Sequence, residues 1–352
     1  MTDRAKIEKR FEKSQDALVL QQSDLSLQSI ADMVESKAID ISPKYQRRER
    51  WDPKRESELI ESFLLNIPVP PIYLAEDEYG TYSVIDGKQR VTAISRFLQG
   101  SLSLSGLEKF KDLEGFAFSD LPAPLANALR IRPYLRVVTL LRQSDPDLKY
   151  EVFLRLNKAG VALNSQEIRN VAFRGKLNDM IIDASEEPYL VQQLRATPQS
   201  KIFREMIDVQ YVLRYFTMLA TWDKFPGNMD VAMDSYMAQN YKLRGKAVDD
   251  LRGKFIDALA FCEQVWGADG FMNPLGSKRI MQGFFDIQTV CPTMLTKQQR
   301  SKALRDPKKV RNALIATLKR DDEFKKSVTQ FTSNPRSVNY RISRFLDALK
   351  AL

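Results

Sequence analysis

The sequence predicts an α+β protein. A small mixed-sheet domain with inserted helices is expected over residues 25–175, after a charged lead-in over 1–24 and before an all-helical C-terminal domain over 176–352. Two runs rich in β-formers, 72–75 and 81–85, flank a Gly-containing turn and read as a hairpin. A third such run occupies 135–141 (Leu-Arg-Val-Val-Thr-Leu-Leu). Beyond about Lys176 the strand signal vanishes, and the segments 202–222, 247–266, 307–317 and 338–352 space their apolar residues for helices.

In chain order, residues 1–22 read as charged and partly helical. Ser26 is placed to cap a helix over 27–38, with Leu27, Ile30, Met33 and Val34 in phase. Ile39-Asp40-Ile41-Ser42 is extended and ends at Pro43. Asp52 and Pro53 open a helix over 54–65 as N-cap and first helical residue, burying Leu59, Ile60, Phe63 and Leu64. Ile67-Pro68-Val69-Pro70-Pro71 cannot be helical and delivers the chain to the first hairpin strand. After a turn at 76–80, the second strand ends at Asp86-Gly87. A helix begins near Gln89, with Val91, Ile94, Phe97 and Leu98 apolar and Gly100 closing it. Residues 101–135, with Phe110, Phe116 and Phe118, read as a small lobe. Residues 147–156 read as helical, and Asn164 or Ser165 caps a further helix.

No apolar run approaches the roughly 20 residues of a membrane helix, and residues 1–13 lack the apolar core of a signal peptide. A cytoplasmic protein with no membrane partner is expected. Cys262 and Cys291 lie far apart without metal-ligand spacing and read as reduced thiols. Histidine is absent, which excludes Ser-His-Asp and Cys-His machinery, the HNH nuclease with its histidine base, and His-based zinc sites. Catalysis is left to carboxylates, Lys, Arg, Tyr and backbone amides, with a metal held through oxygen. The excess of 54 Lys and Arg over 45 Asp and Glu, a net charge of +9, suits a polyanionic partner such as nucleic acid or a nucleotide.

Three clusters carry candidate chemistry. In the first, a strand hands over to a helix through Asp86-Gly87-Lys88-Gln89-Arg90. A helix N-terminus presents amides and a positive dipole end to an anion. Gly87 would let a ligand approach the backbone, Lys88 and Arg90 add cations, and Arg grips phosphate oxygens in a bidentate way. Asp86 would orient a water or hold a metal that bridges phosphates. Taken alone, the pentapeptide fits a plain turn with solvated basic residues equally. The second cluster, Tyr45-Gln46-Arg47-Arg48 with Trp51, can stack on a base and bind phosphate, or be an exposed basic loop. The third, Arg155-Leu156-Asn157-Lys158-Ala159-Gly160 followed by Gln166-Glu167-Ile168-Arg169-Asn170, reads equally as a site or a buried ion-pair network.

The order of Tyr45-Gln46-Arg47, Trp51, Leu59-Ile60-Glu61-Ser62, Ile67-Pro68-Val69-Pro70 and Ile85-Asp86-Gly87-Lys88-Gln89-Arg90 resembles domain-of-unknown-function family 262, the N-terminal domain of GmrSD-type modification-dependent restriction proteins. Phe153-Leu154-Arg155-Leu156-Asn157 and Leu163-Asn164-Ser165-Gln166-Glu167-Ile168-Arg169-Asn170 match its second block, so the resemblance covers about residues 25–175. It implies a ParB/sulfiredoxin-like fold and an NTP bound with Mg²⁺. It also implies hydrolysis through an Asp-Gly-Gln-Gln-Arg motif, with Asp86 as the catalytic carboxylate. By that resemblance Tyr45, Gln46, Arg47, Asp86, Gly87, Lys88, Gln89, Arg90, Arg155, Asn157, Glu167, Arg169 and Asn170 line the nucleotide site. Lys88 stands where the family has its first Gln, which adds charge beside the phosphates and bears on hydrolysis. Many relatives end in an HNH nuclease; without histidine, cleavage here would fall to a partner nuclease subunit. The expected role is a nucleotide-binding regulator or sensor of a restriction or anti-phage system acting on DNA.

Two other readings stay open. A non-catalytic DNA-binding protein would use the basic segment 297–326, where Asp306, Asp321, Asp322 and Glu323 are interleaved as on a solvated helical face. A Mg²⁺-dependent nuclease would use Asp77, placed in the hairpin turn, with Asp86 and Lys88.

Overall fold

The computed structural model describes residues 3–41, 51–145, 148, 151–152, 155–156, 164–276, 278–330 and 332–352. The chain divides into two compact units, Met1–Asn164 and Ser165–Leu352.

The first unit is built on a five-stranded mixed sheet in the order β1-β5-β3-β4-β2. Helix α1 (Asp3–Asp16) precedes β1 (Leu20–Ser26), which the sequence reading left inside its lead-in. Its Leu-Gln-Gln-Ser-Asp-Leu-Ser carries no β-branched or aromatic residue, so propensity alone does not reveal it. Pairing does: β1 runs antiparallel to β5 (Tyr134–Leu140), with Asp24 opposite Arg136 and two charged hydrogen bonds of 2.8 and 2.9 Å between them.

Helix α2 (Leu27–Glu35) starts where Ser26 Oγ accepts the Ser29 N–H at 3.1 Å. It stops short of residue 38 because Lys37 turns left-handed (φ 61). The short β2 (Ile39–Asp40) pairs in parallel with β4 (Thr81–Asp86). Helix α3 (Pro53–Leu64) opens with Asp52 accepting the Arg55 N–H at 2.8 Å, the cap and Pro start expected of the sequence.

Strand β3 (Ile72–Glu78) continues three residues past the expected end, pairing Glu76 and Glu78 with β4 across a register shift at Asp77, so Asp77 lies in the strand and not in the turn. The hairpin closes through Tyr79 and Gly80 (φ 78). The acidic side chains tolerate the strand because Glu76 accepts the Arg142 N–H (3.1 Å) and Ser83 donates to Asp77 (3.2 Å). Helix α4 (Lys88–Leu98) follows β4 directly.

One apolar layer collects Leu27 and Ile30 of α2, Ile60 and Phe63 of α3, Val91, Ile94 and Phe97 of α4, and Ile72, Leu74, Val84, Leu135 and Val137 of the sheet. Each fully buried side chain of this size is worth about 1.5–3 kcal/mol relative to exposure. Residues 101–135 are not a separate lobe. Leu102, Leu104, Leu107, Leu113, Phe118 and Leu121 join this same core, and the Phe118 ring meets Phe97 edge-on at 5.6 Å. About 35 residues cannot enclose a core of their own. Within them, α5 (Ala123–Ile131) buries Leu129. The expected helix over 147–156 lies largely outside the described residues.

The second unit is helical: α6 (Ser165–Ala172), α7 (Lys176–Ala184), α8 (Pro188–Leu194), α9 (Lys201–Arg204), α10 (Ile207–Thr221), α11 (Met229–Asn240), α12 (Lys246–Trp266), α13 (Gln282–Thr293), α14 (Lys297–Arg305), α15 (Pro307–Arg320), α16 (Asp322–Thr329) and α17 (Pro335–Lys350). The helix expected over 202–222 is two, because Met206 adopts a left-handed conformation (φ 55) between α9 and α10.

Helix α13 is enclosed on all sides: every residue from Gly283 to Pro292 is buried, Asp286, Gln288 and Thr289 included. A helix with no solvated face belongs to the middle of a bundle. Its polar residues find partners there, the Gln288 amide nitrogen excepted among the described residues. Asp286 accepts from Arg214 at 2.7 and 2.8 Å and from Arg341 at 2.5 Å, and Gln288 accepts the Phe271 N–H at 2.7 Å. Cys262 and Cys291 are buried free thiols whose titration burial pushes upward, away from the reactive thiolate.

Candidate nucleotide site

Asp86 closes β4 opposite Tyr73, the second residue of β3, and the chain turns straight into α4. Gly87 is the N-cap, with φ 93 and ψ 15 and no side chain to cap the first turn. Only glycine takes that backbone readily. A Cβ at this position would sit 2.6 Å from Ile72 Cγ2 and 2.9 Å from Arg90 Nη2. A side chain at this position would therefore collide with Ile72 and with the Arg90 guanidinium.

Arg90 folds back over this turn. Its Nη2 donates to Asp86 Oδ2 at 2.6 Å and to the Pro71 carbonyl at 3.2 Å, tying the first turn of α4 to the start of β3. The guanidinium is 14% exposed and the Asp86 carboxylate 43%. Arg90 Nε is enclosed without a hydrogen-bond partner among the described residues. Asp86 and Arg90 are thus brought together, each neutralising the other, with the carboxylate turned toward solvent.

Gln89 reaches the other way. Its Oε1 accepts the Trp51 N–H at 3.2 Å, and the Arg55 guanidinium stands 5.1 Å over the Trp51 ring. Lys88 and Gln89 are partly exposed at the mouth of the turn. Tyr45, Gln46, Arg47 and Asn157 lie outside the described residues. Arg155 is 76% exposed and paired with Glu151 at 2.7 Å.

Two glutamates that the sequence reading did not single out as site residues hold this junction in place. Glu56 of α3 is buried and accepts from Arg96 of α4 at 2.5 Å. Glu61 is buried and accepts three backbone N–H groups, from Glu108 (3.2 Å), Lys109 (2.6 Å) and Phe110 (2.9 Å). Burial alone would raise the Glu61 carboxyl, but those three donors outweigh it and hold it below its ordinary value. The available signal was an acid on the same helical face as Leu59, Ile60 and Phe63, where an unpartnered carboxylate would be costly.

Asp77 does not join Asp86. It lies four residues along β3 from Tyr73, the partner of Asp86, a separation of about 13 Å. Two carboxylates so placed cannot share one Mg²⁺, whose ligands lie about 2.1 Å away. This arrangement does not support the Asp77, Asp86 and Lys88 nuclease reading.

In the helical unit, Arg169 is fully buried. It donates to Asp230 (2.5 Å), Asp234 (2.6 Å) and Gln166 (3.4 Å). Gln166 donates to Asn170 (2.9 Å), and Asn170 to Met206 Sδ (3.2 Å). Glu167 is buried beside them. Of the two readings open for this segment, the arrangement is the ion-pair network: Arg169 and Asn170 tie α6 to α11 and to the α9–α10 break.

No helix among the described residues is long and apolar enough to cross a membrane. No curated protein and no solved structure matches the chain. One family model does: that of the GmrSD restriction endonuclease, N-terminal domain, over residues 30–174.

Proposed function

We propose, from the match of residues 30–174 to the model of the GmrSD restriction endonuclease N-terminal domain, that this chain is a nucleotide-binding regulator or sensor in a restriction system acting on DNA, with the polyphosphate bound at the Asp86–Arg90 junction. The observation that supports it most is the Arg90–Asp86 pair of 2.6 Å at the N-terminus of an eleven-residue helix that has no side-chain cap. A phosphate there meets the positive end of α4 and a guanidinium already oriented across the turn.

Binding then works by exchange. The polyphosphate takes over the Arg90 donors from Asp86, and charge-assisted bonds to phosphate replace the one to the carboxylate. Lys88, beside Gly87, adds a second cation. Released from Arg90, Asp86 becomes the one carboxylate of the junction able to orient a water. It also fits a nucleotide-bound Mg²⁺, which usually takes one or two protein carboxylates plus phosphate oxygens and neutralises charge on the transferring group. Tyr45, Gln46 and Arg47 remain the proposed contacts to base and phosphate on the family resemblance. Arg169 and Asn170 make the network that ties α6 to α11 and to the α9–α10 break.

A panel of the four ribonucleoside triphosphates, with phosphate release as readout, tests this on the wild type and on Asp86→Asn. Saturable, Mg²⁺-dependent binding is expected. Asp86→Asn should still bind nucleotide, since Arg90 and the helix start remain, while releasing phosphate at least about tenfold more slowly. Absence of binding at millimolar nucleotide would sink the reading.

A further inference from the structure

The net charge of the chain is not spread over it. Residues 297–352 hold fifteen of the 54 Lys and Arg but only five of the 45 Asp and Glu, so this segment carries +10 and the rest of the chain −1. Within it, α14 and α15 contain nine cations and no carboxylate at all.

The nearby acids do not neutralise them. Asp306 caps α15 by accepting the Lys309 N–H at 3.1 Å. Asp321 caps α16 and accepts from Tyr340 and Arg344 (2.9 and 3.0 Å), and Glu323 pairs with Arg336 at 3.2 Å. Glu323, Arg336 and Arg344 thus have local ion-pair partners, unlike the cations of the two helices before them. Lys302, Arg305, Lys308, Arg311, Lys319 and Arg320 are exposed, with no carboxylate in ion-pair reach among the described residues. The face is solvated, but the acids interleaved in the sequence do not pair with its cations.

Geometry sets the row. Val310, Leu314 and Leu318 bury one side of α15. At about 100° per residue, Lys308 and Lys319 fall with exposed Asn312 on the other side, and exposed Arg311 lies on the flank beside Leu318, over about 16 Å of helix. Like charges three residues apart, Lys302 with Arg305 and Lys308 with Arg311, repel within each helix, and among the described residues no carboxylate in ion-pair reach offsets this.

We propose that the outer face of α14 and α15 is the surface on which this chain rests on double-stranded DNA, contacting backbone phosphates; this rests on the reading that the chain acts on DNA. A duplex presents a negative charge about every 1.7 Å along its axis, a dense polyanion that a face of cations without carboxylates complements. Two other polyanions fit less well. Single strands are gripped through aromatic stacking platforms, and neither helix holds an aromatic residue. Membrane-surface helices need large apolar side chains at the boundary, and the exposed ones of the described residues lie elsewhere.

The test measures binding of the full-length chain to a labelled random-sequence duplex by fluorescence anisotropy over a range of salt concentrations, with and without nucleotide and Mg²⁺. One variant combines Lys308→Ala, Arg311→Ala and Lys319→Ala. A control of equal net charge combines Arg4→Ala, Lys6→Ala and Lys9→Ala on α1. The α15 variant should lose about 2.7 from the slope of log affinity against log salt, some 0.9 per phosphate contact, and bind at least about tenfold more weakly near 0.1 M salt. The control should stay within about twofold of wild type. Thermal unfolding of the α15 variant should be unchanged or improved, since Ala favours the helix and relieves repulsion.

Wild-type binding that the α15 variant retains, or that both variants lose equally, overturns this surface and leaves the DNA reading standing. No wild-type binding under any condition overturns both. Binding of anionic vesicles but not DNA, lost in the α15 variant, overturns the DNA assignment in favour of a membrane.

Discussion

Gly87 and Arg90 constrain one another. The guanidinium occupies the space a Cβ would take, and the left-handed turn aims it at Asp86. Gly87→Ala is therefore expected to cost about 1–3 kcal/mol, from the positive φ and from displacement of Ile72 or Arg90, read as a fall in the melting temperature. It should also weaken nucleotide binding, because Arg90 loses its seat. Loss of stability with unchanged binding would separate the two effects and count against Arg90 as a phosphate contact. The Asp86-Gly87-Lys88-Gln89-Arg90 string was visible as a candidate from residue types alone. That Arg90 turns back onto Asp86 and the Pro71 carbonyl was not, because the partner carbonyl lies nineteen residues away, brought close only by the hairpin.

Element by element, local signals and long-range pairing divide what could be read. Helices α2 and α3, with Ser26 and Asp52 as caps, and the β3–β4 hairpin announce themselves through capping residues, proline and turn chemistry, all of which act within a few residues. Strand β1 and the acidic end of β3 do not, since their stability comes from β5, Arg142 and Ser83 across the sheet. Glu61 is the sharpest case of an element held by one side chain. Its carboxylate organises residues 108–110, which close over α3. Glu61→Gln is expected to destabilise the first unit by about 2 kcal/mol, as charged acceptors give way to a neutral one. The pH dependence follows from the lowered carboxyl. The unfolded chain binds the proton more readily than the folded one. Glu61 therefore contributes its full stabilisation above the ordinary value of 4.5, and this is lost as pH falls below that through the lowered folded value. Denaturant titrations at pH 7 and pH 3.5 should show wild type losing more stability on acidification than Glu61→Gln; equal losses would contradict it.

At the scale of the whole molecule, charge is sorted by depth. Deep in the helical unit, one carboxylate serves two arginines: Asp286 is fully buried between Arg214 and Arg341. Removing it would leave two guanidinium groups enclosed without a counter-charge. Asp286→Asn is expected to cost about 3–5 kcal/mol and to lower the melting temperature by on the order of 10 °C. A shift within a degree or two would mean that water reaches the pair. None of this network was legible in advance, since Arg214 and Asp286 are 72 residues apart and lie in runs whose periodicity reports only helix. Among the described residues, α14 and α15 present an exposed positive excess. Between the two, the Asp86–Arg90 junction is where a charge pair is partly open to solvent at a helix start, and it carries the proposed role. Calorimetric titration of wild type and Arg90→Ala with nucleoside triphosphate and Mg²⁺ tests that role most directly. Saturable wild-type binding, weakened at least about a hundredfold in Arg90→Ala while the melting temperature moves by only a few degrees, is the expected result. Equal affinities in a folded Arg90→Ala protein would contradict it.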